Sequence, residues 1–178
     1  MGFILAQIFG IIALALICIG YFLKKKSSFL IIQIVANIFY AGAFAVVGAF
    51  VGAGLTMIST IRCVYLYIAE KREFKYRLHL LPIFVIAYII TTIIFWNSPY
   101  DIMPLVTSTM FTIGFAFKDL QKMRYFLLIP NAILVVYNIL VSTYTSALLD
   151  LLEVIVIIVA IIRFYCLNKK KTSNNEVR

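Results

Sequence analysis

From Phe29 to Ile68 the chain runs through forty residues that carry a single charge, Arg62. A helix needs about 20 apolar residues to cross the hydrocarbon core of a bilayer. This stretch is therefore about two spans long and has to fold back on itself. Gly48, Gly52 and Gly54 mark the reversal, because glycine accepts the backbone conformations that a tight turn needs. The expected spans are Phe29–Val47 and Val51–Ala69. Composition points the same way: 64% of the 178 residues are hydrophobic and 13% are charged. An ordinary soluble domain is about 45–50% apolar and about 25% charged. So little polar sequence cannot cover the exterior of a soluble fold, and lipid is the expected solvent.

Five further spans follow from the same pattern. They are Phe3–Leu23, Leu80–Trp96, Ile102–Phe117, Tyr125–Val141 and Ala147–Leu167. The opening Gly2-Phe3-Ile4-Leu5 has no basic segment or small-residue cleavage site, so it reads as the first span and not as a cleaved signal. Asn97-Ser98-Pro99-Tyr100-Asp101 and Ser142-Thr143-Tyr144-Thr145-Ser146 are turn sequences. The polar tail Asn168–Arg178 is expected to be disordered.

Charge tests this count. With the N-terminus outside, the cytoplasmic segments are Lys24–Lys26, Lys71–Arg77, Lys118–Arg124 and the tail, which together hold 14 of the 16 basic residues. Arg62 and Arg163 fall in the inner halves of the third and seventh spans. Every basic residue then lies on one side, as the positive-inside rule requires. A six-span reading would export Lys169-Lys170-Lys171. The net charge of +9 is thus topogenic and does not indicate a nucleic-acid partner.

The map also contains a repeat. Spans one to three and five to seven each comprise a span, a basic loop and a helical hairpin with an uncharged turn. Each unit ends on an arginine, in Thr60-Ile61-Arg62 and Ile161-Ile162-Arg163, with Asn37 and Asn138 each 25 residues upstream. The fourth span between them gives both units the same orientation, a parallel repeat of the kind described for SWEETs. The expected fold is all-α: a polytopic integral membrane bundle of about seven helices. Residues 1–69 form the first repeat, 70–100 the loop and linker helix, 101–167 the second repeat and 168–178 the cytoplasmic tail.

Candidate solute-binding residues follow from polarity inside the spans. Asn37 and Asn138 lie mid-span, where a carboxamide suits a hydroxylated or amide solute, or bonds between helices. Asp150 and Glu153 stand three apart on one face of the outer half of the seventh span. Intramembrane acids are costly and mark functional sites, although Asp150 also suits the water interface. Arg62 and Arg163 suit an anionic group, or snorkelling to the interface. Thr107, Ser108, Thr109 and Thr112 suit a polar path, or hydroxyls bonding back to their own helix. Gln7, Gln33 and Pro104 are lesser candidates. Tyr21, Trp96, Tyr100, Tyr144 and Tyr165 read as an interfacial aromatic belt. Cys18, Cys63 and Cys166 read as small apolar residues, and with one histidine, His79, no zinc site is expected. No catalytic motif is present, so neither an enzyme nor a cofactor is expected.

The order Leu5-Ala6-Gln7-x-x-Gly10, Thr60-Ile61-Arg62, Lys118 with Met123-Arg124, Tyr137-Asn138, then an acid before Ile161-Ile162-Arg163 resembles the YgjV-type bacterial inner-membrane proteins over about residues 4 to 165. The family's acidic position falls on Asp150. The chain departs from the pattern at Ser59 and Ala160, where asparagine is expected three residues before each arginine. The resemblance implies a bacterial source and a multi-pass inner-membrane location, and it supplies no activity. The 3+1+3 order is similar to that of SWEET and PQ-loop-like transporters, a likeness of topology alone. The leading expectation is a transporter or facilitator of a small polar solute. The alternative is a non-transporting membrane scaffold or assembly component. The expected partners are the lipid bilayer and a small polar solute, with a homo-oligomer left open.

Overall fold

The computed structural model describes residues 2–46, 48, 50–72, 81–96, 98–141 and 144–176. Among them every regular element is helical. The order is α1 (Gly2–Tyr21), α2 (Lys26–Val46), α3 (Phe50–Lys71), α4 (Leu81–Ile94), a 3-10 turn (Pro99–Asp101), α5 (Ile102–Ala116), α6 (Leu120–Leu140) and α7 (Tyr144–Glu176). Four helices, α1, α2, α3 and α6, are long and apolar enough to cross a membrane by length and composition, and α4 is a shorter apolar helix. Residues 73–80, which include most of the charged loop after α3 and His79, together with Asn97, Ser142 and Thr143, lie outside the described residues.

Local chemistry places the breaks. Gly48 turns the chain between α2 and α3 at φ +74°, a conformation that costs other residues a steric penalty. Gly52 and Gly54, expected in the turn, belong to α3 instead. Gly52 lets α3 approach α2: a Cβ there would meet the Phe44 ring at 3.0–3.2 Å. Ser98 Oγ accepts from the Tyr100 amide, and Asp101 Oδ2 accepts from the Ser98 amide at 2.8 Å. This reciprocal cap starts the 3-10 turn. Pro104 sits in the first turn of α5, where its missing N–H would have no intrahelical partner anyway.

Two expected loops are helical. Asp119 caps α6 by accepting from the Gln121 amide at 2.8 Å, so α6 begins at Leu120 and not at Tyr125. The tail continues α7 through Glu176. No glycine or proline follows Leu167 to stop the helix, and lysine is a good helix former.

The packing is inside-out relative to a soluble protein. Ile4, Ile61, Ile93 and Ile94 are 60–68% exposed, while Arg62 and Arg124 are 2% exposed and Asn131 is 1% exposed. Such an exterior needs lipid as its solvent. Within each repeat the helices pack in sequence, α1 on α2 on α3 and α5 on α6 on α7. Helix α4 lies against α3 and α5, and α1 meets α7. This is an all-helical membrane bundle in which α1–α3 and α5–α7 each pack in chain order, with α4 between α3 and α5.

One end of the bundle carries the α1–α2 and α5–α6 connections and is called the basic end. There Tyr21, Phe29, Leu30, Met123 and Leu127 are all at most 1% exposed and form a solid apolar core. Two of the charges around it, Lys26 and Arg124, are buried. Lys26 is 7% exposed; it donates to the Phe117 carbonyl and stands 3.6 Å from Glu70 Oε2. Arg124 donates to the Leu23 carbonyl at 2.6 Å and to Gln121 Oε1 at 2.9 Å, and it lies 4.2 Å from the centroid of the Phe164 ring. The Lys26–Phe117 and Arg124–Leu23 contacts tie the first repeat to the second.

Candidate functional site

Above this apolar floor the repeats part around a chamber of about 640 Å³. Its wall draws on α1, α2, α3, α5, α6 and α7 together with the end of α4. It extends to Val141, Ser146 and Asp101, at the end of the bundle opposite the basic loops. At its deep end stand Ile17, Arg62, Phe115 and Glu153.

Nine of the residues singled out by sequence line this one chamber: Gln33, Pro104, Thr107 and Ser108, together with Asn37, Arg62, Asn138, Asp150 and Glu153. Each of the last five is positioned by a specific contact. Asn138 Nδ2 donates to Asp150 Oδ2 at 2.6 Å, joining α6 to α7 within the second repeat. Asn37 Nδ2 points at Cys63 Sγ, 3.9 Å away. Glu153 accepts a 2.7 Å hydrogen bond from Tyr21 Oη, which crosses from α1. The guanidinium of Arg62 donates from Nη1 to Thr112 Oγ1 at 2.9 Å and to the Ser108 carbonyl at 3.3 Å, and it lies 4.9 Å from the Phe115 centroid.

Gln7, Thr109, Thr112 and Arg163 do not line the chamber. Gln7 lies outside its wall. Thr109 donates back to the Leu105 carbonyl at 3.0 Å, as hydroxyls in apolar helices do. Arg163 is exposed and stands 5.6 Å from the Phe22 centroid. The repeat places Arg62 and Arg163 alike in sequence, and each stacks on an aromatic ring of the opposite repeat. Their burial differs because α3 is flanked by α2, α4 and α5, whereas the described contacts of α7 are with α6 and α1.

The structure adds residues that sequence reasoning missed or ranked low. Gln33, Ser59, Thr92, Asn131 and Tyr137 all line the chamber. Ser59 hydrogen bonds Tyr88 Oη at 2.9 Å and so anchors α4 to α3. Asn131 follows Pro130 inside α6, and its Nδ2 donates to the Leu127 carbonyl at 2.8 Å. Tyr21, expected in the interfacial belt, is instead 1% exposed and bonded to Glu153. Trp96, Tyr100 and Tyr165 are exposed, as a belt needs. Among the described residues no cluster of histidine, cysteine and carboxylate is placed to hold a metal ion.

Apolar outside, with polar and charged side chains lining an internal chamber, the chain is a helical membrane protein. It belongs to the Imp-YgjV family, whose sequence model, described as a bacterial inner membrane protein, matches residues 4–168. No curated protein and no solved structure gives a match.

Proposed function

We propose that this inner-membrane protein is a transporter or facilitator of a small polar solute, which it carries without chemical change. The observation that carries this reading is that Asn37 of the first repeat and Asn138, Asp150 and Glu153 of the second all line one chamber. A site between parallel repeats is where carriers of this topology bind their solutes. Two features support alternating access. The chamber reaches the end opposite the basic loops, and the basic end is closed by packed side chains and by the Lys26–Phe117 and Arg124–Leu23 contacts. Contacts of this kind between the repeats are what rigid-body rocking would exchange.

The distribution of all 16 basic residues supports a cytoplasmic basic end, with the N-terminus outside and the C-terminus inside. The chamber then opens outward. A scaffold has no use for such a chamber, and a solid bundle would serve it better. The test is solute uptake into proteoliposomes across a broad panel, with Asn138→Ala as the control. Uptake that Asn138→Ala abolishes supports the reading. If no solute moves, the reading fails.

A further inference from the structure

The chamber segregates charge. Arg62 of α3 stands at its deep end, 2% exposed. Among the described residues its Nη1 is used by Thr112 and Ser108, its Nη2 meets the Cys63 sulfur at 3.9 Å, and its Nε has no hydrogen-bond partner. Among the described residues, the salt bridge in the bundle is Lys26–Glu70, and no carboxylate stands within 4.0 Å of Arg62. A buried guanidinium without an anion is costly. Arg62 lines the chamber, and a guanidinium is the side chain that can hold a carboxylate in two parallel hydrogen bonds. On the α7 wall of the same chamber, Asp150 and Glu153 carry the opposite charge type, each held by one neutral donor, Asn138 or Tyr21.

Resting on the transport reading above, we propose that the solute is a small zwitterion. Its carboxylate docks on Arg62 and its ammonium group docks on the Asp150–Glu153 face. A purely anionic solute would meet two carboxyl groups in a chamber of low dielectric. A purely cationic one would meet a guanidinium that has no anionic partner among the described residues. A solute bearing both groups satisfies both walls, and each wall then rejects the wrong charge.

The test uses the full chain in proteoliposomes with four probe classes: glycine, serine and glutamine as zwitterions, lactate as an anion, ethanolamine as a cation, and glycerol as a neutral solute. Zwitterion uptake is expected to exceed that of the other three classes. Arg62→Gln should lower zwitterion uptake about tenfold or more, the effect of losing one charged hydrogen-bonding partner. Arg62→Lys, which keeps the charge for folding, should retain part of it. The paired variant Asp150→Asn with Glu153→Gln should shift preference from glycine toward lactate, a change that a purely structural role would not produce. Glycerol uptake without zwitterion uptake overturns the charge assignment and leaves transport standing. Movement of none of the four classes overturns the assignment, and failure across the broad panel overturns transport as well.

Discussion

Tyr21 Oη donates to Glu153 Oε1 at 2.7 Å across 132 residues of sequence. The bond runs from α1 to α7 and so links the first repeat to the last helix of the second. It also gives the most deeply buried carboxyl group of the chamber its described hydrogen-bond donor. Removing the donor with Tyr21→Phe leaves that group desolvated and unpartnered. We expect a loss of about 1–3 kcal/mol, read as a lower Tm in detergent. Combining Tyr21→Phe with Glu153→Leu should recover most of it, because no polar atom is then left orphaned. An unchanged Tm for Tyr21→Phe alone would show that the bond contributes nothing.

Gly114 brings α5 against α6. A Cβ there would lie 2.9 Å from Leu127 Cδ2 and 2.9 Å from Phe126 Cδ1. Leu127 is fully buried and has no room to retreat. Gly114→Ala should therefore destabilise by about 1–3 kcal/mol through overpacking, despite alanine's better helix propensity. Thermal unfolding decides the sign, and a rise in Tm would contradict the packing described.

The Lys26 contacts with Phe117 and Glu70 close the basic end. Lys26→Met keeps the side-chain length and removes the charge. A loss of one or two kcal/mol of closure would raise the open population about five- to thirtyfold. The measure is labelling of Ser108→Cys by an impermeant maleimide added from the basic side, in a background lacking Cys18, Cys63 and Cys166. Labelling should speed up in the Lys26→Met protein; equal rates would mean that the contact does not gate the chamber.

Orientation has its own test. A fluorescent protein fused after Arg178 should glow, and alkaline phosphatase fused there should be inactive, if the tail is cytoplasmic. Active phosphatase would reverse the orientation proposed and turn the chamber mouth inward.

Helices, their number and their order are legible in the sequence because each is set locally. About twenty apolar residues demand a helix in lipid, where backbone groups have no other partner, and Gly48 and Ser98-Pro99 break the chain by their own backbone chemistry. Periodic features carried further: the equal spacing from Asn37 to Arg62 and from Asn138 to Arg163 exposed the repeat. What a side chain faces was not legible, because that depends on which neighbouring helix covers it. Arg62 and Arg163 match in sequence, yet one is walled in by three helices and the other is exposed on the bundle surface. Tyr21 and Trp96 both end apolar runs, but only Tyr21 finds a carboxyl group within reach. Lys26 and Arg124 read as solvated loop charges until backbone carbonyls from the opposite repeat met them. Segment hydrophobicity is a property of consecutive residues, whereas burial, pairing and the shape of the chamber arise from contacts between helices far apart in the chain. Only the assembled bundle could decide those.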